Sequence, residues 1–550
     1  MVGMENQIFD LFDSATDSTT SAGQEEDPVA ELARRRFHIR FLYPLQRMAI
    51  ANVLDAEESP EPIRQLVLFP TGFGKSICFQ LPALLAHGLT VVVYPLLALM
   101  SDQQHSLERR EISSVLIRGA MSDDQWREAE RQIETKSTNL VVTNPESLEQ
   151  PRVQRLLSRR GVFHLAIDEA HCVSEWGETF RPSYLRLKDS IEALDPKVLS
   201  AYTATASPAV ELAIARHLFG ENSYRLVRTD IDKPNISYAV EPTLEPEHTL
   251  LRLVSIKPKP LIVFDQSRDE VRLLCELIHR RTEQEVRFYH AGLSRPEKEA
   301  TEKWFMESED GILVSTCAYG MGVDKRNIRT VIHYREPPSV EAYIQESGRA
   351  GRDGASAEAI LIHRPADKAE IASGTPRPSA FSAAALALRV KTPVRKSGTN
   401  ANTECGSGGQ DGNPGLATRE QRRLAFLAYA RDGTCRRRYL LKLMGQYLDS
   451  PCSGCDVCDG TTAGYPEGYR EIFIFFDRNR RRFSYPESIR LLSQAEPLSF
   501  MQEPPTCAGA GLLSSWHKED AAALLDSVLA KGIVVEEKKF PWKGKLRLEV

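Results

Sequence analysis

The chain of 550 residues lacks several things, and each absence narrows its class. No apolar run reaches the ~18 uninterrupted residues that a membrane helix needs, so no membrane partner is expected. The start, MVGMENQIFDLFD, has no basic stretch followed by an apolar core and does not read as a secretory signal. Without such a signal, ten cysteines favour reduced thiols or a metal site over a disulfide framework, and a cytoplasmic protein is expected. No short-period repeat recurs, which removes solenoids and propellers. Basic residues are missing from positions 1–30, which hold seven acids, so the net charge of −5 leaves +2 on the remainder. That excludes a wholly basic coat but not a nucleic-acid partner, because the local surface field decides binding.

What is present is an ordinary globular composition, 42% hydrophobic and 26% charged. Residues 1–34 read as a disordered acidic tail rich in Ser and Thr. Over 35–223, the short β-branched runs QLVLFP, TVVVYP, NLVVTN, HLAIDE and VLSAYTAT each lead into a helical pattern. That rhythm predicts a parallel sheet with helical crossovers. Residues 224–372 repeat it with PLIVFDQS, EVRFYHAG, GILVSTCA, RTVIHYRE and EAILIHR, so two tandem α/β units are expected. A Gly-, Ser- and Pro-rich linker follows over 373–418. A helical block with a cysteine cluster then covers 419–462, outside both α/β units, and a last unit covers 463–550.

Three stretches carry chemistry. In LVLFPTGFGKSICFQLP a strand runs through Thr71, Gly72 and Gly74 into a helix. The glycines let successive N–H groups point at phosphate oxygens, Lys75 would reach the outer phosphates, and the Ser76 hydroxyl would hold Mg2+. The full phosphate-loop pattern starts with a glycine where Phe69 stands. Asp168 and Glu169, at the end of a neighbouring predicted strand, would orient the magnesium shell and polarise the attacking water of ATP hydrolysis. In QESGRAGRDG, Gln345, Arg349 and Arg352 complete the catalytic set. The two arginines, three apart on a predicted helix, would face the nucleotide as arginine fingers.

The ordered series FPTGFGKS, YPLLALMSDQ, VVTNPESL, IDEAHCVSEWGETFRP, AYTATA, FYHAGLS, STCAYGMGVDK and YIQESGRAGRDG resembles the RecQ family of DNA helicases, superfamily 2. The resemblance covers residues 37–365, and a cysteine cluster extends it to about 460. It implies two tandem RecA-like domains, a helical zinc-binding module and a winged-helix domain. It also implies ATP-driven 3′ to 5′ movement on single-stranded DNA, unwinding of forked or branched duplexes, and a role in DNA repair or recombination. Single-strand-binding or recombination proteins as partners, a monomeric state and association with the nucleoid belong to the same expectation. The rival readings are an RNA helicase of the same superfamily and a DNA-binding scaffold without unwinding activity.

The aromatic-rich loop now makes sense. Trp176 and Phe180 would stack on base faces without reading sequence, and Arg181 would contact phosphate; the alternative is that both rings pack in the core. Gln46 matches the adenine-recognising glutamine, although Tyr43 and Leu45 stand where Arg and Gly are usual and Ile39 replaces an aromatic. Thr203, Thr205, Ser267, Arg268, Gly322 and Asp324 match coupling or DNA-contact positions. Cys435, Cys452, Cys455 and Cys458 have the spacing of a closed Zn2+ site, with an iron–sulfur cluster as the rival, and Arg436, Arg437 and Arg438 beside them are expected on DNA backbone. Near the end, a helix and two strands flank FPWKGK, whose Trp542 either wedges a duplex end or caps the core; DRNRRRF at 477–483 is either a phosphate patch or a solvated face. Replacing the loop tryptophan, Trp176→Ala, is expected to keep basal ATPase and remove most of its stimulation by single-stranded DNA, measured as turnover with and without a DNA strand. Full stimulation in the variant would make the ring a packing residue.

Overall fold

A computed structural model of the chain describes residues 27–175, 182–220, 222–319, 325–365, 419–493 and 507–549. The five apolar runs of the first unit all become strands of one parallel sheet. Its seven strands are β1 (Ile63–Leu68), β2 (Leu89–Val93), β3 (Val115–Leu116), β4 (Leu140–Thr143), β5 (Val162–Ile167), β6 (Val198–Thr203) and β7 (Arg225–Arg228), in the order β3-β4-β2-β5-β6-β1-β7. β2, β4 and β6 are buried along their whole length, as expected of parallel strands covered by helices on both faces. A second parallel sheet holds β8 (Ile236–Pro242), β9 (Leu261–Phe264), β10 (Val286–Tyr289), β11 (Ile312–Ser315), β12 (Thr330–His333) and β13 (Ala357–His363), in the order β10-β11-β9-β12-β13-β8. Both are RecA-like sheets, and in each the loops at the carboxyl ends of the strands share one edge, where open α/β sheets bind ligands.

Several expectations shift. Residues 28–34, read as tail, belong to the helix Pro28–Phe37, which Asp27 caps by accepting from the Val29 N–H at 3.0 Å. β7 lies past the expected boundary at 223 yet pairs with β1, so the first sheet extends into residues assigned to the second unit. The strand is short and mostly solvent-facing, so it carries no apolar run to betray it. β8 also went unread, because its residues ISYAVEP mix apolar and polar types on an edge strand that pairs only with β13. The tail before residue 27 and the linker over 373–418 lie outside the described residues.

The cysteine block is not outside the α/β units; it is fused to the second one. Cys455 makes a parallel bridge with Tyr238 of β8, and the Asp456 N–H donates to the Tyr238 carbonyl at 3.0 Å. Two arginines expected on DNA explain why. Arg436 is 2% and Arg437 1% exposed, and both are used internally. Arg436 Nε donates to Asp456 Oδ1 at 3.0 Å, and its Nη1 donates to the carbonyls of Tyr429 and Asp432 at 2.7 Å each. Arg437 pairs with Asp232 and donates to the carbonyls of Lys233 and Ile236. Only Arg438 faces solvent.

The C-terminal residues fold around their own core. Helices Tyr469–Arg478, Tyr485–Ser493 and Lys518–Ala530 precede the antiparallel pair β14 (Val534–Glu536) and β15 (Leu546–Leu548). Phe475, Phe476, Leu524, Leu525, Val528 and Leu546 are buried together there, as the apolar face of the last helix foretold. Val550, expected to continue the alternation of Leu546 and Leu548, is outside the described residues.

The Asp456 carboxylate serves three groups at once, since besides Arg436 it accepts from the Val240 N–H at 3.0 Å and the Val457 N–H at 2.8 Å. Asp456→Ala would leave a buried guanidinium unpaired, and a loss of about 3–5 kcal/mol is expected. Denaturant unfolding checks this, and a change within experimental error would show that the pair is dispensable.

Candidate active site

The first half of the site is the loop after β1. Gly72 and Gly74 adopt φ of +85° and +77°, left-handed values that favour glycine. A Cβ on Gly74 would also fall 2.8 Å from Gln46 Nε2. That closeness is productive: Gln46 is buried, donates from Nε2 to the Phe73 carbonyl at 2.7 Å, and accepts from the Tyr43 N–H at 2.9 Å. The Tyr43 ring stacks on Phe73 with centroids 4.8 Å apart, so the residue standing in place of the usual arginine braces the loop. Thr71 and Lys75 are half-buried, and Lys75 Nζ donates to the Phe69 carbonyl at 3.4 Å. Ser76 precedes the helix Ile77–Leu85 and makes no side-chain capping bond to it.

The second half is the carboxyl end of β5. The Asp168 N–H donates to the Val93 carbonyl at 3.0 Å, which sets the residue in line with the sheet edge. Glu169 follows at φ +48°, a left-handed conformation for a non-glycine residue, and its N–H donates to Asp168 Oδ1 at 3.0 Å. Burial and the Glu169 carboxylate push Asp168 well above the usual carboxylate range. Burial acts on Glu169 in the same direction, but Lys75, His171 and Arg349 outweigh it and hold that carboxyl low. Sequence reading passed over His171. It lies 3.3 Å from Glu169 Oε2 and 2.9 Å from Thr203 Oγ1, thereby linking the Asp-Glu-Ala-His run to the Thr-Ala-Thr loop after β6. The spelling of residues 168–171 was the available signal.

Arg349 belongs to the second sheet, so its effect on Glu169 reaches across the cleft. It is 3% exposed, and burial together with Arg352 pushes it down to about 10. The expected helix carrying both arginines ends too soon. Helix Val340–Ser347 stops at Gly348, and Arg349 and Arg352 occupy the turns that follow, with Gly351 at φ +57°. Gln345 stays half-buried on the last turn of that helix. The structure thus gathers Lys75, Asp168, Glu169 and Arg349 at one cleft.

Four thiols form a separate cluster. The sulfurs of Cys435, Cys452, Cys455 and Cys458 lie within 4.8 Å of one another. Tetrahedral zinc with Zn–S bonds of about 2.3 Å fits such a set. Cys435 is also the N-cap of helix Arg436–Leu443, and Cys455 Sγ accepts from the Cys458 N–H at 3.4 Å.

The DNA-contact candidates are scattered. Trp176, Phe180, Arg181, Gly322 and Asp324 are outside the described residues. Ser267 caps helix Arg268–Thr282 by accepting from the Glu270 N–H at 3.3 Å, and Arg268 is exposed beside Gly292. Trp542 is 47% exposed on the β14–β15 loop and is not among the core residues, which leaves the core-cap alternative without support. Phe540, two residues before it, is 93% exposed and was not singled out from sequence. The run 477–483 leaves Arg478, Arg480 and Arg482 exposed, while Arg481 pairs with Glu537 at 2.6 Å.

Comparison with known proteins matches three family models in succession: DEAD/DEAH box helicase over residues 43–213, helicase conserved C-terminal domain over 246–354, and RecQ zinc-binding over 410–459. The chain is 33% identical over 395 residues to a Haemophilus influenzae protein named ATP-dependent DNA helicase RecQ, covering 72% of this chain and 58% of that one. Proteins of the same name match from Pasteurella multocida at 31% over 80% of this chain and 64% of theirs, and from Bacillus subtilis at 36% over 54% and 51%. The chain thus spans between half and two thirds of the length of these relatives. No helix among the described residues is long and apolar enough to cross a membrane.

Elemental analysis is expected to find one zinc ion per chain, and Cys455→Ser to lose the metal and melt at a lower temperature. Stoichiometric iron with sulfide would overturn the zinc assignment.

Proposed function

The chain belongs to the RecQ family, and from that premise we propose that it is an ATP-driven helicase that moves 3′ to 5′ on single-stranded DNA and separates forked duplexes. The observation that carries this reading is that the glycine loop leading to Lys75 follows β1 and the Asp168–Glu169 pair follows β5 at the same edge of one sheet, with the charge of Arg349 from the second sheet adding to that of Lys75 in holding Glu169 low. A nucleotide on the first sheet would put its outer phosphates between those cations. Closure of the cleft and hydrolysis then become one event, and release of product reopens it.

The roles follow from chemistry. The N–H groups of Thr71 to Gly74 cradle phosphate at a helix start, and Lys75 neutralises the outer phosphates. Hard oxygen donors suit magnesium, and Ser76, whose hydroxyl is not spent on its own helix, and Asp168 supply them. Magnesium, when bound, offsets the charge of the transferring phosphoryl group. Glu169 orients and deprotonates the attacking water, with His171 fixing its carboxylate and passing its position to Thr203. Arg349 and Arg352 neutralise charge that develops on the phosphate in the transition state, and Gln345 stands behind them. Gln46, with Tyr43, places the adenine side of the nucleotide.

Trp176, Phe180 and Arg181 would engage the translocated strand together with Ser267 and Arg268, since stacking is tolerant of sequence. The last domain is read as a winged helix whose loop, carrying Phe540 and Trp542, sits at the duplex end. The protein is taken to act as a monomer on single-stranded and forked DNA, in repair or recombination.

Lys75→Ala is expected to abolish ATP hydrolysis and to leave single-stranded DNA affinity within a few fold, because strand affinity comes from the grooves and not from the phosphate loop. Paired ATPase and binding titrations measure both. Stimulation by RNA in preference to DNA in the unaltered protein would favour an RNA helicase, and absence of any stimulation a scaffold.

A further inference from the structure

Residues 229–235, TDIDKPN, join the two parallel sheets, and their side chains do more than span a gap. Lys233 Nζ donates to the Gly348 carbonyl at 2.5 Å. Asn235 Nδ2 donates to the Gly351 carbonyl at 2.8 Å and to the Ala355 carbonyl at 2.9 Å. These acceptors bracket Arg349 and Arg352, the two residues assigned to transition-state charge. The Asn235 carbonyl in turn accepts from the Ala357 N–H at 2.9 Å, so the connecting segment holds the arginine turn and the start of β13 together.

The glycines of Ser-Gly-Arg-Ala-Gly-Arg fit this arrangement. A Cβ on Gly351 would fall 2.4 Å from Asn235 Nδ2 and 2.7 Å from the Ala355 carbonyl. A Cβ on Gly348 would fall 2.7 Å from the Ile344 carbonyl and 3.6 Å from Lys233 Nζ. Gly351 thus leaves room for Asn235 of the connecting segment, while the room at Gly348 is taken by the carbonyl of its own helix, with Lys233 at ordinary contact distance. The segment is itself anchored from behind: Arg437 of the cysteine module grips Asp232 and the carbonyls of Lys233 and Ile236.

We infer that Lys233 and Asn235 are positioning residues for the paired arginines, setting the turn from the segment that joins the two sheets. The inference rests on the reading of Arg349 as an arginine finger. Neither residue need touch nucleotide. Burial and the nearby guanidinium groups of Arg352 and Arg349 push Lys233 down to about 8, as expected for a third cation packed behind the first two. Its place is set by the Gly348 carbonyl, an acceptor left over where helix Val340–Ser347 ends.

The test compares Asn235→Asp, Lys233→Met and Lys233→Arg with Arg349→Ala in the full-length zinc-loaded protein. Asn235→Asp keeps size and shape but turns an acceptor toward two carbonyls. It and Lys233→Met are expected to lower DNA-stimulated kcat roughly 10- to 100-fold, the scale of a small misplacement of a catalytic group. KM for ATP, zinc content and melting temperature should stay near their original values, and Lys233→Arg should restore most of the turnover. Combining Asn235→Asp with Arg349→Ala should cost clearly less than the product of the two single losses, because Asn235 acts in part through Arg349. If Arg349→Ala lowers kcat but neither Asn235→Asp nor Lys233→Met does, the positioning role is wrong and the helicase reading stands. A fall in kcat that tracks lost zinc or lower melting would also overturn it, as a purely structural effect. If Arg349→Ala keeps full turnover, the finger assignment itself fails and this inference falls with it.

Discussion

Two buried guanidinium groups hold the second half of this protein together. Arg436 and Arg437 are adjacent in sequence, yet one points to Asp456 inside the cysteine loop and the other to Asp232 on the segment between the sheets. Charges taken out of water are tolerable when paired and hydrogen-bonded, and here the backbone carbonyls of Tyr429, Asp432, Lys233 and Ile236 add to the two aspartates. The result ties four parts to one point: the thiol cluster, edge strand β8, the inter-sheet segment and the helix Arg419–Arg431. That helix packs the Phe426 and Tyr429 rings at a tilt against Tyr343, within the helix that leads to Arg349. The cysteine module and the second sheet therefore behave as one body, with the arginine turn on its surface toward the cleft.

Across the cleft, the first sheet presents an incomplete charge balance. Two neighbouring carboxylates share the end of β5 with Lys75 and His171 as local compensation, and burial together with Glu169 still pushes Asp168 up. Under the proposed reading, nucleotide, magnesium and the arginines of the opposite body would each adjust that balance in turn. A site completed only when the two sheets meet would couple their relative movement to translocation.

Much of this was legible in the sequence because strands buried on both faces write continuous apolar runs. Phosphate loops, acidic strand ends and CxxC turns likewise leave short local signatures. β7 was missed since it buries only one residue, and β8 because its buried Ile236, Tyr238 and Val240 alternate with half-buried positions and form no continuous apolar run. The fate of Arg436 and Arg437 was missed for a deeper reason: an Arg-Arg-Arg run looks the same whether it faces DNA or two aspartates inside the protein, one about 200 residues upstream and one 20 residues downstream. The helix expected to carry Arg349 and Arg352 ends at Ser347, and the turns after it bond to a segment more than a hundred residues upstream, which no local pattern announces. His171 was spelled out in the motif but gained meaning only when Thr203 was found beside it.

The central claim is that hydrolysis requires the second body to close Arg349 onto the nucleotide held by the first. Fluorophores at the exposed positions 189 and 276, one on each body, would follow the distance between them by single-molecule energy transfer. With single-stranded DNA and ADP–aluminium fluoride, the account predicts one shorter distance than in the nucleotide-free protein, and Arg349→Ala should fail to reach it. An unchanged distance in the trapped complex, or full closure without Arg349, would contradict it.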